Sequence, residues 1–380
     1  MNIPSKLPNV STTIFTVMSA LANEHHAINL SQGFPNFPSS QKLNDLVYKY
    51  MTEGYNQYAP MAGVKKLRDI LVTKMQSFYP TVVSPDTEIT ITAGATQALF
   101  TAITAFIRPG DEVILIEPAF DSYRPAVEVN GGIPVIYEMS APDYQVDWQK
   151  LGQLVTSKTK MIVINTPQNP TGTTLKANDL EALEQLTKGT DILVLSDEVY
   201  EHLIYDGQEH QSVLRFPNLF QRSLLTFSFG KTFHTTGWKV GYCVAPAHLM
   251  SEFRKVHQYN VFTVNTPVQH ALADFLKDPN EYLSLNAFFQ KKRDFFIKTM
   301  QGSRLRPIRS EGTYFHLFDY SQISDEPDTQ FARRMTTEYG VAAIPVSVFY
   351  SSGRDEKIIR LCFAKKEETL EKAGELLKKI

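Results

Sequence analysis

The sequence predicts an α/β protein with a mostly parallel sheet of seven strands, followed by a smaller α+β unit. Three observations carry this prediction. From about residue 85 to 245, short apolar runs alternate with helix-length stretches. The runs are apolar on consecutive residues, the mark of strands covered on both faces by crossover helices. Beyond Pro267 the alternation gives way to helical and then mixed patterning.

Taken in order, residues 1–40 are too rich in proline and polar side chains to form a domain and are expected to pack on the C-terminal unit. Residues 41–279 are expected to form the large domain and residues 280–380 the small one. The strand candidates of the large domain are Glu88–Thr92, Glu112–Ile116, Pro134–Tyr137, Lys160–Ile164, Ile192–Ser196, Leu224–Phe227 and Val240–Ala245. Between them, Thr96–Phe106 and Asn178–Leu186 read as helices, the second capped by Asn178 or Asp179. After Pro267, Ala271–Leu276 and a long stretch to about Met300 read as helical. The last segment combines the strands Thr313–Phe318 and Ile358–Phe363 with the helices Thr329–Tyr339 and Glu367–Lys379. No repeat, low-complexity tract or Gly/Ser linker interrupts the chain.

The bulk properties exclude several function classes. In 380 residues, Lys+Arg total 38 against Asp+Glu 40, which leaves no basic footprint for nucleic acid or an anionic membrane. The opening Met1-Asn2-Ile3-Pro4-Ser5-Lys6 has no apolar core of a signal peptide. No apolar run approaches the roughly 20 residues that span a bilayer. The two cysteines, Cys243 and Cys362, stand in apolar strand-like runs and read as buried free thiols of a reducing compartment. These properties suit a cytoplasmic enzyme.

Lys231, in Ser228-Phe229-Gly230-Lys231-Thr232, is the residue most in need of a chemical account. It follows the apolar run Leu224–Phe227 in a stretch dense in Ser, Thr, Gly and aromatics. Its ammonium resists burial, so it either meets water or does chemistry, for example as a Schiff base with an aldehyde cofactor. A P-loop is excluded by spacing, because position 225 is Leu where that motif needs glycine. No G-x-G-x-x-G follows a strand. The turn Thr92-Ala93-Gly94-Ala95-Thr96-Gln97 would offer helix N–H groups to an anion, though taken alone an ordinary β–α turn capped by Thr96 is the better account of it.

Asp197 stands at the end of a central strand, where it either caps a helix or meets water, or, since α/β sheets bind ligands at that edge, keeps a ring nitrogen protonated. Tyr200 follows three residues later, so one turn puts both side chains on one side. In Asn165-Thr166-Pro167-Gln168-Asn169-Pro170-Thr171-Gly172, prolines and glycine end a strand, and the Asn169 amide calls for a polar partner. Arg360, in Ile358-Ile359-Arg360-Leu361-Cys362-Phe363, is an always-charged group in an apolar strand. It lies on an exposed face, pairs with an internal acid, or clamps a substrate carboxylate. His25, His26, His202, His210, His257 and His316 have no metal-ligand spacing.

In chain order, Asn169-Pro-x-Gly, Asp197-x-x-Tyr200, Ser228-x-x-Lys231 and Lys239 resemble the signature blocks of the fold-type I aminotransferases that depend on pyridoxal 5′-phosphate (PLP). The resemblance covers nearly the whole chain. Ser31-Gln32-Gly33-Phe34-Pro35-Asn36-Phe37-Pro38, Asn56-Gln57-Tyr58, Glu117–Tyr123 and Lys231–Gly241 are similar to the kynurenine/glutamine/methionine branch. The Ser-Lys-Leu-Pro opening, the Thr-Thr-Ile-Phe segment and the Asn-Gln-Tyr-Ala-Pro-Met block are most like its bacterial methionine aminotransferases.

The resemblance implies a role for each matching residue. Lys231 would carry PLP and shuttle the proton between the substrate Cα and the cofactor. Asp197 would pair with the pyridinium nitrogen. Asn169 and Tyr200 would hydrogen-bond the phenolic oxygen, and Phe120 would stack on the ring. Backbone N–H groups of Ala95 and Thr96, with Ser228 and Lys239, would hold the phosphate. Tyr58 would reach the phosphate in a neighbouring subunit, which implies a homodimer with a shared active site. Arg360 would clamp the substrate α-carboxylate near Gly33 and Asn169. Lysine stands at 239 where many aminotransferases have arginine, so the site keeps the charge without the bidentate fork. Phe15 stands where some relatives carry tryptophan.

The expected function is ping-pong transfer of the amino group of a neutral or aromatic L-amino acid to a 2-oxo acid. Methionine, glutamine, phenylalanine and kynurenine are the expected kinds of donor, given Phe15, Phe34, Tyr123 and Phe349 near the site. No metal is expected. A C–S β-lyase on the same lysine is the alternative. A PLP-sensing regulator is a second, disfavoured by the absence of space for a DNA-binding domain before the first motif.

Overall fold

The first strand is short, β1 (Ile28–Asn29), and the central sheet follows it in the chain: β2 (Ile89–Thr92), β3 (Glu112–Glu117), β4 (Ile133–Glu138), β5 (Thr159–Asn165), β6 (Leu193–Asp197), β7 (Ser223–Ser228) and β8 (Gly241–Val244). A computed structural model describes residues 3–380. The sheet order is β2-β8-β7-β6-β5-β3-β4. Strand β8 alone runs antiparallel to its neighbours. The link from β7 to β8 holds only two single-turn helices, too little to cross the sheet, so the chain returns in the opposite sense.

Both faces of the sheet are buried, as the consecutive apolar runs require. Ile114, Ile162, Val194 and Leu225 face one core, whereas Val113, Met161, Leu195 and Leu224 face the other. Each such side chain contributes about 1.5–3 kcal/mol by leaving water. The helix Gly94–Phe106 covers the second face with Ala98, Leu99, Ala102 and Ile103. Because β5, β6 and β7 are parallel and in register, Asn165, Asp197 and Ser228 all emerge at one edge of the sheet.

The C-terminal part carries a second, antiparallel sheet of β9 (Arg306–Ile308), β10 (Phe315–Asp319), β12 (Ile344–Pro345) and β13 (Ile358–Cys362), in the order β12-β13-β10-β9. Between them, β11 (Val341–Ala342) pairs in parallel with β1. The helices Leu285–Thr299 and Glu367–Leu377 pack together behind this sheet. The N-terminal segment touches the same elements through a helix, Ile14–Glu24, that packs on the helix Asp328–Glu338.

Three local expectations are corrected. The helix Ile14–Glu24 has no counterpart in the reading of residues 1–40; Thr13 Oγ1 caps it by accepting from Thr16 N. The helix expected at Thr96 starts two residues earlier, at Gly94, and Thr96 is not its cap. The helix expected to be capped by Asn178 or Asp179 runs Ala177–Thr187 with Lys176 at its N-cap, and Asp179 reaches back to accept from Lys176 N at 2.7 Å. No helix among the described residues is long and apolar enough to cross a membrane.

Candidate active site

Lys231 lies on a one-turn helix, Phe229–Thr232, that starts where β7 ends. Ser228 caps this turn, its Oγ accepting from Lys231 N, and the apolar side chains of Phe229 and Phe233 turn into the core. That leaves Lys231 facing a cavity of about 150 Å³ along the sheet edge. Its Nζ donates to the Gly33 carbonyl at 3.4 Å and lies 5.9 Å and 5.7 Å from the ring centres of Tyr200 and Tyr314. Burial, then the Arg360 charge, pull the amine down to about 8, with Lys239 acting in the same sense and Cys362 and Asp197 opposing.

Asp197 closes the floor of the cavity at 4% exposure. Its Oδ2 accepts from the Tyr123 hydroxyl at 2.6 Å and its Oδ1 from Val199 N at 3.3 Å. Burial outweighs these donors and pushes the carboxyl up to about 6. A cation placed against it would restore the charge. The backbone carbonyl of Asp197 accepts from Asn165 Nδ2 at 2.8 Å, and Asn165 Oδ1 accepts from Asn169 N at 2.7 Å. One turn after Asp197 brings the buried Tyr200 to the same cavity.

At the opposite end, Ala95 and Thr96 sit in the first turn of the helix Gly94–Phe106, which has no side-chain cap. Its free N–H groups and the positive end of its dipole meet the cavity. Gly94 has φ +77°, and a Cβ there would stand 3.4 Å from Lys239 Nζ. Lys239 itself holds a left-handed conformation, φ 55°, which turns its side chain toward that end. Ser228 and Phe120 complete the lining.

Arg360, on β13, is 1% exposed. Its Nη1 donates to Asn169 Oδ1 at 2.6 Å, its Nη2 to the Ser31 carbonyl at 3.3 Å, and its Cζ lies over the Phe315 ring, 3.9 Å from the ring centre. Its Nε has no partner among the described residues, and none of their carboxylates lies within 4.0 Å. The exposed-face and internal-acid readings are therefore corrected: the guanidinium is buried and holds donor capacity in reserve. Burial lowers it to about 10.

The structure thus gathers Ala95, Thr96, Phe120, Asn169, Asp197, Tyr200, Ser228, Lys231 and Lys239 around one cavity, with Gly33 and Arg360 bonded to that set. Tyr58 is not among them. It is 80% exposed and touches Phe262 edge-on at 5.3 Å. Tyr314 and Asn165 were missed by sequence reasoning, and Tyr123 was read only as an aromatic wall. No group of three His, Cys, Asp or Glu is gathered to hold a metal ion among the described residues.

Comparison with known proteins is decisive. The family described as Aminotransferase class I and II matches residues 25–377. The chain belongs to that family. It is an aminotransferase. It is 50% identical to a methionine aminotransferase of Escherichia coli, covering 99% of this chain and 98% of that protein. It is 36% identical to the human kynurenine--oxoglutarate transaminase 1, covering 94% of this chain and 93% of the relative. Among solved structures, YbdL of Escherichia coli, reported with a methionine aminotransferase function, superposes with a TM-score of 0.98 at 49% identity over the whole of both chains. An aspartate aminotransferase of Thermus thermophilus, a double mutant, reaches 0.91 at 29% identity, again over the whole of both chains.

Proposed function

We propose that this aminotransferase binds pyridoxal 5′-phosphate in the cavity around Lys231 and transfers the amino group of a neutral amino acid to a 2-oxo acid. The observation that carries this reading is one cavity holding a lysine amine depressed to about 8, a buried carboxylate and an uncapped helix start. Beside it, Arg360 keeps an unpartnered Nε. These residues suit the cofactor's three polar ends. Ala95 and Thr96 N–H groups, Ser228 and Lys239 would hold its phosphate, Asn169 and Tyr200 its phenolic oxygen, and Asp197 its ring nitrogen, with Phe120 against the ring face. When bound, the cofactor supplies an aldehyde for amine exchange and a cationic ring that withdraws electrons from the substrate Cα.

The chain's residues supply the rest. Arg360 holds the substrate α-carboxylate, aided by Gly33 and Asn169, and so fixes where Cα sits. Lys231 Nζ, neutral in part near pH 8, takes the Cα proton. Tyr123 and Val199 keep Asp197 in place through its two oxygens. The amino acid leaves as a 2-oxo acid, and a second 2-oxo acid leaves as an amino acid from the same site.

Phe15 and Phe349, 6.0 Å apart and both beside Arg360, present an apolar wall to the substrate side chain. This supports neutral or aromatic donors such as methionine, glutamine, phenylalanine or kynurenine, in line with the names of the relatives above. We further propose a homodimer in which Tyr58 enters the cavity of a second copy. The exposure of Tyr58, Tyr259 and Phe262 supports it. Both cysteines are free and buried, which suits the cytoplasm. A panel of amino donors against several 2-oxo acids tests the reading. Product that needs an acceptor and favours neutral donors is expected; pyruvate and ammonia formed with no acceptor would overturn transfer in favour of lysis.

A further inference from the structure

Two donors meet on the carbonyl oxygen of Gly33. The Tyr314 hydroxyl donates to it at 2.6 Å, and Lys231 Nζ donates to it at 3.4 Å. They arrive from different parts of the fold, Tyr314 just ahead of β10 and Lys231 just after β7. The carbonyl has little room to drift, because a Cβ at Gly33 would stand 2.6 Å from the Phe315 ring. Tyr314 is fully buried, edge-on to Tyr200 at 5.3 Å and to Phe315 at 4.8 Å. A carbonyl oxygen that already accepts one short bond has less electron density for a second donor. The long lysine contact beside the short tyrosine one is the expected result.

We propose that Tyr314 is a positioning residue for Lys231: its hydroxyl engages the Gly33 carbonyl so that the lysine amine is held there loosely and stays free to swing to the substrate. The inference rests on the reading of Lys231 as the reacting amine. Without the hydroxyl, the carbonyl would bind the ammonium form of Lys231 more tightly. Hydrogen bonding to the charged form raises a lysine's pKa, so more acid-side protonation and less free base follow. The other groups that face the amine are Asp197, Lys239, Arg360, Cys362 and the ring of Tyr200. All of them remain in a Tyr314→Phe variant, which also keeps the ring and its packing.

The test is the titration of Lys231 in the cofactor-free protein, read as the pH dependence of its acetylation by peptide-resolved mass spectrometry. In Tyr314→Phe the midpoint is expected to rise by about half a pH unit, the weight of part of one hydrogen bond. In the holoenzyme, kcat on the acid side should fall by up to about threefold, the loss of free base that half a pH unit gives, with KM within about twofold and the acid limb of kcat moved to higher pH. Tyr320→Phe is the control, since it removes another buried hydroxyl of the same sheet region, one that donates to the Glu326 carbonyl at 2.8 Å. It should leave midpoint and kcat unchanged. A midpoint in Tyr314→Phe that stays put or falls overturns the proposal, whatever kcat does. The labelling needs neither cofactor nor turnover, so its answer stands apart from whether Lys231 carries the reaction, which Lys231→Ala decides.

Discussion

Arg360 is expected to serve the substrate at the expense of the fold, and replacing it separates the two. Burial brings its guanidinium from 12.5 to about 10, which corresponds to roughly 3 kcal/mol against the charged form. Arg360→Met removes that penalty. It also strips Asn169 Oδ1 and the Ser31 carbonyl of a donor, at about 1–3 kcal/mol each. These opposing contributions nearly offset, so the cofactor-free variant should melt within about 4 °C of the parent, a shift equivalent to about 3 kcal/mol for a chain of this length. Activity should respond very differently. A fork of two charge-assisted bonds to a carboxylate is worth about 3–5 kcal/mol, so kcat/KM should fall by about 10²–10³ or more in Arg360→Met. Arg360→Lys keeps the charge without the fork and should fall about tenfold less, mainly through KM. Calorimetry and steady-state kinetics on the same preparations give both numbers. A melting point lowered by about 10 °C or more, with kcat/KM reduced less than about tenfold, would refute the clamp and make Arg360 a structural brace.

Other outcomes follow from the same geometry. Tyr123→Phe removes the 2.6 Å donor to Asp197, so the carboxyl should rise further above about 6 and cofactor affinity should weaken by about tenfold in a spectroscopic titration. For Lys231 the folded value, about 8, lies below the unfolded one, 10.5, so the unfolded chain binds more protons between them. Its penalty is therefore full below pH 8 and vanishes as pH rises to 10.5; Lys231→Met should be more stable than the parent by about 2 kcal/mol at pH 7, allowing for water in the cavity, and the gap should close by pH 10.5 in denaturant titrations. Lys74 and Glu201 form a buried pair at 2.5 Å, so Lys74→Met should cost about 3–5 kcal/mol by leaving Glu201 a buried charge, and adding Glu201→Gln should recover much of that loss.

The strands were legible because their burial is written in consecutive apolar residues; β5 and β6 fall within a residue or so of the runs Lys160–Ile164 and Ile192–Ser196. Their order across the sheet was not, since nothing local in Gly241–Val244 says that it inserts between β2 and β7. Lys231, Asp197, Asn169 and Arg360 could be singled out because each is a polar or charged residue set in an apolar or rigid context. Tyr314 gave no such signal. A tyrosine leading into an apolar strand reads as core, and only the approach of Gly33 from residues far away in sequence reveals its hydroxyl's work. The helix Ile14–Glu24 did leave a trace, in Thr13 as a cap and in Ile14, Met18, Leu21 and Ala22 at helical spacing, but the surrounding prolines and polar residues obscured it.

The claim that most else depends on is that Lys231 is the amine that carries the cofactor. Loading the protein with pyridoxal 5′-phosphate, trapping by borohydride reduction and mapping the peptides tests it most directly. The account predicts a phosphopyridoxyl label on Lys231, with Lys231→Ala losing both the visible cofactor band and turnover. A label confined to another lysine, or transamination retained by Lys231→Ala, would contradict it.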